Sequence, residues 1–296
     1  PNNCGLCTNH LSHSGLANII VTNRCDLTCW YCFFYVKKGL EGAYMYEPNH
    51  DQVRGMMKTL RSERPIPGNS MQITGGEPML TEEHFLMLEE FIRRGKKPVL
   101  RYNTNASQLK YKKYDILELW KHFDKVEVSC SVDHFGERAE WLRKGTDWDR
   151  IVKNIKTLKE LVPHAKFQIT PTISIWNVFD FPEFFDFLID NDFIDTTTSP
   201  RFNTASSPWY ANIMILPEFS KEKLSRLYRE YIHKYSYNKE VSNGFKMINQ
   251  NLKSGEPNKG GIQEFIKFND ELDMLRNEKI LDIIPELKEV YRWAKS

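Results

Sequence analysis

Cys25, Cys29 and Cys32 stand at a C-x3-C-x2-C spacing directly behind an apolar, β-branched run over residues 17–21. Thiolates are soft donors that select zinc, copper(I) or iron–sulfur clusters over hard cations. Zinc and ferredoxin-type sites take four protein ligands. This motif supplies three, and Cys130 is the only cysteine further along the chain. A 4Fe–4S cluster held by three thiolates keeps one iron open to an outside ligand. The competing readings are half of a zinc ribbon or a few buried cysteines, although a ribbon normally shows a second C-x2-C partner.

A second motif, Gly75-Gly76-Glu77-Pro78, follows the strand-like run 70–74. Gly75 and Gly76 carry no Cβ, so the backbone there can approach a ligand closely. The ordered pair of motifs, with an aromatic (Tyr31) before the last cysteine, resembles the radical S-adenosylmethionine (SAM) superfamily. The resemblance implies that Cys25, Cys29 and Cys32 hold a 4Fe–4S cluster whose open iron is chelated by the amino and carboxylate groups of SAM. It places Gly75, Gly76, Glu77 and Pro78 at the SAM amino group and the Tyr31 backbone near the adenine. Tyr102-Asn103-Thr104-Asn105-Ala106 is similar to the family's Thr-Asn-Gly turn, with Ala106 where glycine is usual, making Asn103 and Asn105 candidate SAM contacts; turn-forming asparagine chemistry is the alternative. Ser131 and Asp133 match the family's Ser-x-Asp segment near the SAM ribose and carboxylate. Arg143, in Trp141-Leu142-Arg143-Lys144-Gly145, matches its Arg-Gly tract. A guanidinium there could grip a carboxylate bidentately; a surface arginine is the alternative.

The leader, residues 1–16, carries Cys4, Cys7, His10 and His13 at every third position, a spacing able to converge on one metal if the segment turns tightly. Leader and cluster motif together resemble the group that includes tetraether lipid synthases. That resemblance implies a second metal or iron–sulfur centre, incomplete here because Ser14 or Gly15 stands where a further cysteine is expected. A loop with incidental His and Cys is the competing reading. The chain begins at Pro1 without a methionine, so an N-terminal piece is expected to precede it.

These residues must be positioned by a scaffold. Short β-branched runs over 17–22, 70–74, 98–102, 125–131 and 166–173, with a weaker one over 196–202, alternate with helical periodicity. The helical stripes are Gln52 to Leu60; Phe85, Leu88, Phe91 and Ile92; Ile116, Leu117 and Trp120; Ile151, Ile155 and Leu158; and Phe181 to Leu188. This is the pattern of a parallel α/β fold. The resemblance implies a partial (β/α)6 TIM barrel over 17–203, with chemistry at the carboxyl ends of the strands. Within it, alternation turns Cys130 away from Ser129 and Ser131 and reads as a buried, inert thiol. The six histidines outside the leader show no ligand spacing and read as surface or packing residues. Residues 204–296 form a mainly helical C-terminal extension: helices over 221–237, 241–252 and 262–276, an extended piece over 212–216 ending at Pro217, and a Gly/Pro loop over 255–261. The extension resembles that of twitch-type radical SAM proteins, yet it contains no cysteine and so cannot hold a thiolate-ligated cluster of its own.

With 296 residues, 41% apolar, 27% charged and net charge +2, the composition is that of an ordinary soluble protein. There is no strong nucleic-acid signal and no apolar run of transmembrane length. The cysteine groupings fit metal ligation in a reducing cytoplasm. The resemblance implies an enzyme that takes one electron from a flavodoxin- or ferredoxin-like donor and cleaves SAM to methionine and a 5′-deoxyadenosyl radical. That radical abstracts hydrogen from a substrate that the sequence leaves open among lipid, peptide and small molecule. The 33–46 loop is a candidate lid. A radical-generating activase of a partner enzyme and a non-catalytic iron–sulfur or zinc module are the alternatives.

Overall fold

The structure, a computed structural model, describes residues 16–22, 25–29, 69–194 and 201–296. The expected helix over 52–60, the leader and the 33–46 loop lie outside the described residues. Strands β1 (Leu16–Thr22), β3 (Ser70–Gly75), β4 (Val99–Thr104), β7 (Val126–Cys130) and β9 (Lys166–Ile169) form one sheet in the order β1-β3-β4-β7-β9, every neighbouring pair parallel. Parallel neighbours need crossovers, and four described helices stand in them: α1 (Glu82–Arg93), α2 (Ile116–Trp120), α3 (Gly136–Leu142) and α4 (Trp148–Leu161). The crossover from β4 to β7 also holds an antiparallel pair, β5 (Lys110–Tyr111) and β6 (Tyr114–Asp115). Each carries buried residues at helical spacing, such as Phe85, Leu88 and Phe91 on α1.

One face of the sheet meets these helices. Met71, Ile73, Leu100, Tyr102, Val126, Val128, Cys130 and Ile169 on that face are all buried, each large apolar side chain contributing roughly 1.5–3 kcal/mol of transfer free energy. The single run expected over 166–173 is instead broken. Pro171 has no N–H to donate, so β9 stops at Ile169 and the chain resumes as β10 (Thr172–Ile173). β10 then pairs in parallel with β11 (Asn203–Thr204) as a separate two-stranded element. Residues 196–200 of the expected 196–202 run lie outside the described residues; 201 and 202 are not strand, and β11 follows them directly.

The buried core continues into the extension. Phe245 on α7 (Lys239–Ser254) packs against Phe181 and Phe185 of α5 (Phe181–Asp190), against Phe202, and against Tyr228 and Tyr231 of α6 (Glu218–Lys234). Two local expectations fail. Residues 213–215 form a tight 3-10 turn capped by Asn212, whose side chain accepts from the Met214 N–H, instead of an extended piece. Lys259-Gly260-Gly261 opens helix α8 (Lys259–Arg276) instead of belonging to the loop, because the Asn258 side chain caps the Gly261 N–H. Asp273 then takes the backbone N–H of Ile280, turning the chain into α9 (Ile280–Ile283) and α10 (Leu287–Lys295). Helix α3 (Gly136–Leu142) has no counterpart among the sequence-based elements.

Candidate active site

The cluster motif reaches the described structure through Cys25, Asp26, Leu27, Thr28 and Cys29. Thr28–Cys29 forms a short strand, β2, that pairs antiparallel with β8 (Arg143–Lys144), setting Cys29 opposite Arg143. Gly145 follows with φ +98°, and a Cβ there would meet the Asp26 carbonyl oxygen at 2.7 Å. The Arg-Gly tract is thus a backbone bracket for the cluster loop: the arginine's strand pairs with it, and the glycine lets it approach. Cys25 is half-buried and Cys29 buried. Burial pushes the Cys25 thiol up to about 12, so a metal arriving at this loop must displace a proton to obtain a thiolate. Cys32 and Tyr31 lie outside the described residues, as do Cys4, Cys7, His10 and His13.

Beside this loop, β3 ends at Gly75 with φ +142°, a conformation that favours glycine. Gly75 pairs with Thr22, the last residue of β1, where the register shifts. Glu77 next turns inward and is fully buried. One carboxylate oxygen accepts the Met79 N–H (3.2 Å) and the Thr104 hydroxyl (2.8 Å), and the other accepts the Asn105 N–H (2.7 Å). Desolvation nevertheless outweighs these bonds and raises the Glu77 pKa to about 7. The GGEP turn is therefore welded to the end of β4. Asn105, 5% exposed, completes the connection: its amide nitrogen lies 2.8 Å from Asp26 Oδ1 and 3.7 Å from Cys25 Sγ. Ala106 adopts φ +57°, which explains why a glycine suits that turn.

The remaining predicted residues divide. Asp133 is buried, accepts the Thr172 N–H on Oδ1 (2.7 Å) and faces Arg143 at 3.4 Å through Oδ2. These two residues form a buried pair next to the cluster loop. Ser131 is half-buried at the end of β7. Asn103 is exposed on β4, opposite Ser129 in register and on the face turned away from the helices. On β3, β4, β7 and β9 that face is polar: Gln72 and Thr74 on β3, Arg101 and Asn103 on β4, Glu127 and Ser129 on β7, Gln168 on β9. Arg101 bridges Glu127 (2.7 Å) and Ser70 (2.6 Å), and Gln168 donates to Ser129 (2.6 Å). The strand periodicity contains this face, but its residues carry no motif. Cys130 is fully buried on the helix side, where burial pushes its thiol pKa upward. His84 is buried against the Tyr102 hydroxyl (2.8 Å), and burial lowers its pKa to about 3. It is a packing residue.

Sequence reasoning missed two contributors. Asp26 was legible only as a neighbour of Cys25. Arg276, the last residue of α8, donates to the Trp141 carbonyl (3.0 Å) and stacks on the Trp141 ring at 5.6 Å. Burial lowers its pKa, opposed by the charges of Glu278, Cys29 and Asp273. Lys144 pairs with Glu278 immediately beyond it. The extension thereby grips the strand that backs the cluster loop.

The chain matches the family model of the radical SAM superfamily over residues 19–188. That stretch covers more than half of it, and the chain belongs to this superfamily. It is 32% identical over 163 residues to the 7,8-dihydro-6-hydroxymethylpterin dimethyltransferase of Methanocaldococcus jannaschii, covering 55% of this chain and 29% of that protein. It is 28% identical over 137 residues to the GTP 3′,8-cyclase of Clostridium acetobutylicum, covering 46% of this chain and 40% of that one. The chain thus spans less than half the length of these relatives. Among solved structures it is similar to native anSMEcpe with bound AdoMet, with TM-score 0.51, 17% identity, and coverage of 75% of this chain and 61% of that one. The parallel sheet with its helices is the partial TIM barrel of this superfamily. Membership implies a 4Fe–4S cluster and SAM, and the soft, paired thiols of Cys25 and Cys29, backed by an amide donor, fit that cluster. No helix among the described residues is long and apolar enough to cross a membrane.

Proposed function

We propose that this protein is a radical SAM enzyme that cleaves SAM reductively to abstract hydrogen from a substrate. The observation that carries the reading is the convergence of three strand ends. The Cys25–Cys29 loop, the Gly75–Pro78 turn and Asn105 meet in one hydrogen-bonded unit at the carboxyl edge of the sheet, where α/β barrels place their chemistry. When bound, the cluster and SAM supply one-electron cleavage of the sulfonium and a carbon-centred radical, with methionine as the other product. The chain's own work is to hold three thiolates (Cys25, Cys29, Cys32) and to present the close backbone of Gly75 and Gly76 to the SAM amino group. Glu77 and Pro78 fix that turn, and Tyr31, Asn103, Ser131, Asp133 and Arg143 complete the surround. Arg143 lies opposite Cys29, with its guanidinium already oriented by Asp133.

The polar face of the sheet supports a hydrogen-bonding substrate, a small molecule or peptide, over a lipid. A lipid tail at the carboxyl end of that face would desolvate the exposed Asn103 and the half-buried Gln168 without offering either amide a hydrogen-bond partner. A flavodoxin- or ferredoxin-like protein in a reducing compartment is proposed as electron donor, and Cys4, Cys7, His10 and His13 as ligands of a second metal centre. The test is anaerobic reconstitution with iron and sulfide, followed by SAM and dithionite. The expected result is release of 5′-deoxyadenosine, abolished by Cys29→Ala. A preparation that holds only zinc and never cleaves SAM would sink the reading. Iron counting separates one cluster (about four irons) from two.

A further inference from the structure

We propose that Asn105 is a positioning residue of the metal centre: its side-chain amide donates to the Cys25 sulfur and thereby raises the reduction potential of the cluster. The inference rests on the reading of Cys25, Cys29 and Cys32 as cluster ligands. It departs from the family-based expectation for Asn105, which is contact with SAM.

The geometry leaves the amide little choice. Its backbone N–H is held by Glu77 at 2.7 Å, and its Oδ1 is occupied by the Ser107 N–H at 2.8 Å. With the oxygen committed, Nδ2 must face the cluster loop, so the orientation of the amide follows from its partners. There it spans Asp26 Oδ1 at 2.8 Å and Cys25 Sγ at 3.7 Å. The side chain is 5% exposed, so water does not compete strongly for it. Reduction of a thiolate-ligated cluster adds one negative charge, much of it carried on sulfur. A hydrogen-bond donor at a ligating sulfur stabilises the reduced form more than the oxidised one, and hydrogen bonds to the sulfurs are among the factors that set such potentials. The buried carboxylate of Glu77 fixes the backbone of Asn105.

The test uses the reconstituted full chain, with iron content and EPR-monitored redox titration as readouts. Asn105→Ala is expected to bind iron as the wild type does, with its midpoint shifted to more negative potential. Asn105→Asp keeps the acceptor for Ser107 but reverses the polarity at sulfur, and should shift the midpoint further or lose iron. Thr104→Val removes a different bond to Glu77; it should lower thermal stability and leave the midpoint in place. Pulsed EPR on reduced wild-type protein carrying 15N-labelled asparagine side chains should show one nitrogen coupled to the cluster, and this measurement needs no variant to fold. An Asn105→Ala protein with normal iron and an unmoved midpoint overturns the proposal, as does the absence of asparagine coupling. A wild-type protein that binds no 4Fe–4S cluster overturns the ligand reading itself and is recognised by its iron count.

Discussion

Glu77 offers a quantitative test of how the site is held together. Its carboxylate accepts three hydrogen bonds, which favour ionisation, yet it is fully buried, and burial wins: its pKa rises from the ordinary 4.5 to about 7. In an acid whose folded pKa is raised, the folded state binds more protons than the unfolded one across the interval between the two values. Stability therefore falls as pH rises through that window and is level above it. Each pH unit of displacement corresponds to about 1.4 kcal/mol. The full loss is thus about 3 kcal/mol, most of it between pH 5 and 7. Glu77→Gln does not titrate and removes this dependence. It also turns a donor toward the Asn105 N–H, at a pH-independent cost of about 1–3 kcal/mol. The assay is urea denaturation of both apo proteins, under reducing anaerobic conditions, from pH 5 to 8. The wild-type stability minus that of Glu77→Gln should fall by about 2.5 kcal/mol across this range. A flat difference would show that burial does not control this carboxylate. A difference rising with pH would show that the three donors outweigh desolvation, refuting the reasoning.

Gly145→Ala forces a Cβ against the Asp26 carbonyl at a backbone conformation costly for alanine, so a loss of about 1–3 kcal/mol together with reduced iron uptake is expected from thermal melts and iron assays. Arg138 binds Glu286 through two oxygens at 2.9 Å and also pairs with Asp180, tying the extension to the barrel; Arg138→Ala should cost about 3 kcal/mol in denaturant titrations. Cys130→Ala should cost about 1–2 kcal/mol through lost packing while iron content stays at the wild-type level, and a loss of iron would contradict its placement on the helix side. Ala106→Gly relieves a left-handed alanine and should leave the protein unchanged or up to about 1 kcal/mol more stable.

The sheet was legible because strand runs such as 70–74 and 125–131 are β-branched or alternate cleanly, and the helices between them carry apolar stripes at helical spacing. What the sequence withheld is instructive. The break at Pro171 divides a run that reads as one strand, since propensity says nothing of which N–H a ladder needs. The 3-10 turn at 213–215 arises from a single side-chain cap that outweighs the β character of Ile213 and Ile215. At the site, the motifs located Cys25, Glu77 and Asn105, but spacing carries no direction. That Glu77 faces inward to hold Asn105, and that Asn105 faces Cys25, depends on contacts separated by 28 and 80 residues. Arg276 was invisible for the same reason: its partner Trp141 lies 135 residues away.

That last contact bears on how far the protein can be taken apart. The barrel sequence looks like a self-contained module with a helical appendage. Yet Arg276 and Glu278 hold Trp141 and Lys144, and Lys144 pairs in backbone register with Thr28, the residue before Cys29. A minimal version trimmed to the strand-bearing half would shed the far support of its own cysteine loop. Chimaeras that exchange the C-terminal half between relatives face the same constraint, and must carry the Trp141–Gly145 tract across the splice along with the helix that grips it.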